Sequence, residues 1–145
     1  MSQVAQVVRE HRLRLHVDGA RFLNAVVALD LPAAELARPV DSVSFCLSKG
    51  LCCPIGTVVV GDRKFIERAA RVRKAVGGGL RQAGYMAAPA IYALKHMVHR
   101  LRDDHERAYL IARTIDQMKS KYVTGKCIFD LKLFRPSNRE ENLVN

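Results

Sequence analysis

Tryptophan is absent, and five Phe and four Tyr are the only aromatic side chains in 145 residues. Platforms for single-stranded nucleic acid need aromatics interleaved with cations, and no such interleaving occurs. Also lacking is any uninterrupted apolar run near the ~20 residues of a membrane helix, because Arg, Lys, Asp or His breaks every candidate. No membrane partner is expected. The opening Met1-Ser2-Gln3-Val4 carries no basic segment followed by an apolar one, so no secretory signal is legible. A cytoplasmic protein is expected, with a targeting segment further upstream left open. Cysteine is sparse: Cys46, Cys52, Cys53 and Cys127 form an adjacent pair and long gaps that fit neither a zinc spacing nor a disulfide framework. Reduced thiols and no metal are expected.

Acidic residues are the scarcer charge, 14 against 24 Lys and Arg, for a net charge of +10. Such a surface attracts phosphates whatever their sequence. The distribution argues against nucleic acid as the partner. Arg63, Glu67, Arg71 and Lys74 recur every three or four residues, as on the solvated face of a helix whose other face carries Phe65, Ile66, Ala69, Val72 and Val76.

What is present is the material of one α/β domain, with 49% hydrophobic residues to build a core. Val4 to Arg12 reads as the end of a helix, and Leu13, Leu15 and Val17 alternate as a strand does. Ala20 to Leu29 has helical spacing, and Pro32 opens a short helix that runs through Ala37 before Pro39 stops it. Val43, Phe45 and Leu47 form a second strand, and Ile55 to Val60 a third that ends at Gly61. Asp62 stands where an N-cap belongs, ahead of an amphipathic helix over Arg63 to Val76. Gly77-Gly78-Gly79 ends it. A helical region follows from Leu80 to Leu101, expected to break near Pro89, and another runs from Asp103 to Lys119. Strands lie early and long helices late. The division expected is 1–119 as the folded unit and 120–145 as a poorly ordered polar tail.

Three constellations carry chemistry. In the first, strand periodicity puts His16 and Asp18 on one face, with Asp18 at the carboxyl end where ligands gather in open α/β sheets. The alternative is that Asp18 caps the following helix and pairs with Arg21. In the second, Lys49 follows an apolar strand and precedes Gly50. A lysine desolvated there favours the neutral amine that attacks an aldehyde to form a Schiff base, whereas most lysines simply seek solvent. In the third, Gly77-Gly78-Gly79 lies between Lys74 and Arg81 and is expected to open a helix, where amides and cations would suit a phosphate or carboxylate. A flexible connection is the plainer alternative. The pattern lacks the Gly-Lys-Ser/Thr end of a P-loop and the strand-first context of a dinucleotide fingerprint.

Taken in order, HVDGARFLNA (16–25), DSVSFCLSKGL (41–51), PIGTVVVG (54–61) and RKAVGGGLRQAG (73–84) resemble the threonine aldolases, in the β-eliminating lyase/threonine aldolase group of fold-type I pyridoxal-phosphate enzymes. The resemblance runs from Val4 to Arg113. It departs from the family at Cys52-Cys53, where small residues are usual. It implies part of the large cofactor-binding domain of an aspartate-aminotransferase-like fold, with pyridoxal 5'-phosphate as cofactor. Lys49 is then the cofactor-anchoring lysine, Asp18 pairs with the pyridine nitrogen, and Arg21 lies near the phenolic oxygen. Lys74 and Arg81 match cations brought toward the phosphate across a subunit boundary of a homo-oligomer, dimer or tetramer, while His16 matches the motif without an assigned role. The implied reaction is retro-aldol cleavage of L-threonine or L-allo-threonine to glycine and acetaldehyde. The resemblance also implies a partial chain, lacking upstream and downstream active-site segments. The alternative function is a non-catalytic or regulatory module that associates with a full-length homologue.

Overall fold

The computed structural model describes residues 2–117. The expected tail 120–145, Lys119 and Cys127 lie outside the described residues. Nine elements follow one another among those residues: α1 (Ser2–Glu10), β1 (His16–Asp18), α2 (Phe22–Leu29), α3 (Ala33–Ala37), β2 (Ser42–Cys46), β3 (Thr57–Gly61), α4 (Arg63–Ala75), α5 (Gly84–His96) and α6 (Leu101–Gln117). The strands form one sheet in the order β1-β2-β3. β1 and β2 are parallel, with Val17 opposite Val43 and Asp18 opposite Ser44. That pairing needs a crossover, and α2 and α3 supply it. β3 returns antiparallel, with Val43 opposite Val60 and Cys46 opposite Thr57. No helix among the described residues is long and apolar enough to cross a membrane.

β1 is shorter than the alternation of Leu13, Leu15 and Val17 predicts. The amide of Leu13 is bonded to the carbonyl of Val8 at 2.9 Å, and Arg12 takes φ 52°. Those are the marks of a helix C-cap with a left-handed residue after it. Leu13 is thus committed to closing α1, and the strand starts three residues later.

Pro89 does not break its helix. It lies inside α5, where its missing N–H leaves the carbonyl of Tyr85 without its usual partner. The interruption falls instead between His96 and Leu101, where tight turn bonds such as Leu101 N–H to Val98 C=O at 3.1 Å replace the helical ladder.

The core gathers where α5 and the start of α6 cover the end of β2. Leu47, Leu51, Cys53, Ala90, Ala93 and Leu101 are buried together, with Leu23, Val27, Phe45, Val58, Met97 and Val98 packed around them. The small Ala90 and Ala93 let α5 approach closely. Leu101, 1% exposed, is the largest fully buried side chain among the described residues. The apolar side of α4 is left open, with Val72 59% and Val76 79% exposed.

Asp62 caps α4 as its position predicts, its Oδ1 accepting from the amide of Phe65 at 2.8 Å. Asp62→Ala is expected to lower the unfolding free energy by about 1 kcal/mol in urea titration. A second expectation concerns pH. His105 on α6 meets Asn24 on α2 at 3.1 Å, and burial pushes its pKa below the ordinary 6.5, with Asp104 opposing the shift. Folding therefore disfavours the protonated ring, so stability is full above about pH 6.5 and is lost as pH falls from there through the lower folded value. His105→Gln should flatten that part of a stability-versus-pH curve.

Candidate cofactor site

Because β1 and β2 run in the same direction, their carboxyl ends lie at the same edge of the sheet, and the two candidate residues with the clearest chemistry are placed there. Asp18 is the last residue of β1 and is exposed. The Ser44 hydroxyl donates to its Oδ1 at 3.3 Å. The alternative, a carboxylate committed to capping α2 and pairing with Arg21, is not what the geometry records: the N-cap of α2 is Arg21, with no side-chain cap bond. The backbone beyond Asp18 stays zipped to β2, since Gly19 N–H donates to Ser44 C=O at 2.8 Å and Cys46 N–H to Ala20 C=O at 3.2 Å. Two residues before Asp18 on the same face, His16 Nδ1 lies 2.9 Å from the Ser42 hydroxyl. Ser42 and Ser44 were not singled out from sequence. Their alternation with Val43 and Phe45 marks a polar face, but the pairing with His16 and Asp18 depends on register.

Lys49 follows β2 on a tight turn. Its carbonyl accepts from the amide of Cys52 at 2.9 Å, and Cys53 N–H donates to Leu47 C=O at 3.2 Å. Leu47, Leu51 and Cys53 point into the core on either side, which leaves Lys49 and Ser48 exposed. The expected desolvation of this lysine is therefore corrected: the turn anchors its backbone in apolar surroundings while the amine reaches solvent. Among the described residues Lys49 makes no ion pair.

Cys52, the departure from the family's small residues, takes φ 60°. That left-handed conformation costs a side chain roughly 1 kcal/mol and favours glycine. Backbone strain thus stands three residues from Lys49.

The glycine turn is also corrected. Gly77 has φ 93°, its N–H donates to Lys74 C=O at 3.2 Å, and Gly78 N–H donates to Arg73 C=O at 2.7 Å. This is the C-terminal closure of α4, with those two amides already used; the next helix opens at Gly84. An anion cradle of backbone amides is not formed there. What the turn does provide is cations: the Lys74 ammonium nitrogen lies 2.9 Å from where a Cβ on Gly79 would stand, so the lysine folds across the glycine. Its charge also suits the negative end of α4. Arg81 lies between α4 and α5, and Arg21 is exposed at the start of α2. The structure brings Asp18 and the Lys49 turn to the carboxyl edge of the strand pair, with His16 on the same face as Asp18 but at the start of β1; Lys74 and Arg81 belong to a separate segment.

An acid, a lysine and a polar strand face thus stand toward the carboxyl ends of a parallel strand pair in an α/β scaffold. The family model described as beta-eliminating lyase matches residues 1–127. The chain belongs to that family. It is 46% identical to the low-specificity L-threonine aldolase 1 of Arabidopsis thaliana over 81% of its length, covering 33% of that protein. Against the low specificity L-threonine aldolase of Escherichia coli K12 the identity is 48%, over 79% of this chain and 34% of the relative. The chain thus spans about a third of the length of these relatives. A solved structure from Listeria monocytogenes, provisionally described as an L-allo-threonine aldolase, has the same fold with a TM-score of 0.75 at 22% identity, over 80% of this chain and 32% of that one.

Cys52→Gly should relieve the positive φ and raise the urea midpoint, by an amount corresponding to about 0.5 to 1 kcal/mol. A lower midpoint would show that the thiol's contacts outweigh the strain.

Proposed function

We propose that residues 1–119 are the cofactor-binding part of a pyridoxal-phosphate-dependent aldolase that cleaves a β-hydroxy-α-amino acid, L-threonine or L-allo-threonine, to glycine and acetaldehyde. The observation that carries the reading is the shared sheet edge of Asp18 and the Lys49 turn, produced by the parallel register of Asp18 with Ser44. The residues fit the ring and aldehyde of the cofactor. Lys49 offers an exposed amine on a fixed turn, and Asp18 offers a carboxylate with one oxygen already bonded to Ser44 and the other open to a ring N–H.

Pyridoxal phosphate, when bound, supplies the electron sink that stabilises negative charge at the substrate's α-carbon. Lys49 would hold it at its aldehyde carbon. Asp18 keeps a proton on the pyridine nitrogen, as a carboxylate beside a cation favours the charged form. Ser44 fixes the orientation of that carboxylate. Arg21 is assigned to the phenolic oxygen and His16 to the same face of the site. Lys74 and Arg81 are assigned to the phosphate, acting as cations rather than through the glycine amides, and across a subunit boundary in a homo-oligomer.

A second reading is supported by Val59 and Val60 on β3, Val72 on α4 and Val76 at its C-cap, all exposed. Apolar surface of this kind suits a module that associates with a longer homologue without turning over substrate.

Pyridoxal phosphate added to the purified chain, followed by borohydride reduction and peptide mass spectrometry, should place the pyridoxyl label predominantly on Lys49, and Lys49→Ala should abolish that dominant adduct. Label scattered over surface lysines would overturn the cofactor reading.

A further inference from the structure

The turn that carries Lys49 is met from beneath by two helices that contribute no candidate catalytic residue. A Cβ added to Gly50 would stand 2.5 Å from Leu101 Cδ2 and 3.7 Å from both terminal atoms of Asn24. Gly50 is therefore pressed directly against the first residue of α6 and close to the side chain of α2's third residue. Asn24 is in turn held by His105, one helical turn further along α6, through a part-buried contact of 3.1 Å between Nδ2 and Nε2. The amide nitrogen can only donate, so the imidazole accepts at Nε2 and is therefore neutral, with its proton on Nδ1. Beside them Arg100, held by both oxygens of Asp104 at 3.1 and 3.2 Å, reaches the Cys52 sulfur at 3.9 Å. Gly50 and Cys52 of the Lys49-to-Cys52 turn are thus touched by Leu101, the first residue of α6, and by Arg100 just before it.

We propose that Asn24, Leu101 and His105 are positioning residues that brace the Gly50 turn and so set where the Lys49 amine stands. The proposal rests on the cofactor reading for its functional meaning, while the brace itself is a property of the apo chain. Three features distinguish it from ordinary core packing. The contact falls on the residue next to Lys49, it uses a glycine that leaves no room for a side chain, and it includes a polar pair spanning α2 and α6. The turn's own hydrogen bonds hold its residues to one another, whereas the contacts at Gly50 fix it against α2 and α6, and a displacement of about 1 Å at a reacting group costs on the order of a hundredfold in rate.

The test uses the full 145-residue chain and its Asn24→Ala, His105→Ala, His105→Gln and Gly50→Ala variants. The first readout is amide hydrogen exchange without cofactor. In Asn24→Ala, His105→Ala and Gly50→Ala, the amides of Cys52 and Cys53 should exchange roughly fivefold to tenfold faster, the effect of losing one hydrogen bond or close contact, while those of β3 stay unchanged. His105→Gln, whose side-chain oxygen can accept from Asn24, should restore the wild-type rate. The second readout is the share of borohydride-trapped pyridoxyl label found on Lys49, which should fall in the same three variants and recover in His105→Gln. A merely structural contact would lower the melting temperature without changing that share. Unchanged exchange at Cys52 and Cys53, or equal acceleration at β3, would overturn the brace even if the wild type labels Lys49. Faster exchange at the turn alone, with no preferred label on Lys49 in the wild type, would uphold the brace and overturn the cofactor reading.

Discussion

The parallel pairing of β1 with β2 is the constraint from which the rest of the site follows. Two parallel strands cannot be joined by a tight turn, so the chain spends α2 and α3 on the return, and both strands then end at the same edge. The hydrogen bonds from Gly19 to Ser44 and from Cys46 to Ala20 carry the pairing past the end of β1 and hold the residues after Asp18 against the end of β2. Asp18 and Lys49, 31 positions apart by subtraction of their numbers, share that edge for this reason. An antiparallel arrangement would have put them at opposite ends of the sheet.

The lysine turn shows how a polar group is held by apolar surroundings without being buried in them. Leu47, Leu51 and Cys53 fill the core while the intervening residues loop outward. Leu101 closes the space beneath Gly50, and burial of a leucine there contributes roughly 1.5 to 3 kcal/mol to keeping α6 against the turn. The strain at Cys52 is tolerated because the packing on both sides overdetermines the backbone. Stability in this region and precision at Lys49 therefore come from the same contacts.

The long elements and the chemical motifs were legible from the residues themselves. Alternation marked β2, Asp62 marked the start of α4, and the order of His16-to-Ala25, Asp41-to-Leu51 and Arg73-to-Gly84 marked the family. Besides the desolvation expected of Lys49, three readings needed correction, each because a local pattern is compatible with two backbone arrangements. Leu13 and Leu15 alternate as a strand does, yet the amide of Leu13 closes α1. Pro89 is a helix breaker by propensity, yet α5 runs through it, and the interruption falls before Leu101. The glycine run beside Lys74 has the composition of an anion cradle, yet two of its amides terminate α4. Propensity and composition do not say which carbonyl an amide will find.

By itself the sequence determined the α/β class, the membership of the beta-eliminating lyase family and the identity of the candidate groups, because periodicity and motif spacing are written along the chain. Tertiary structure decided that Ser44 bonds to Asp18, that Lys49 stays exposed on an anchored turn, and that Asn24, Leu101 and His105 meet beneath it. Those contacts join residues far apart in the chain. They depend on strand register and helix packing, which no local pattern encodes.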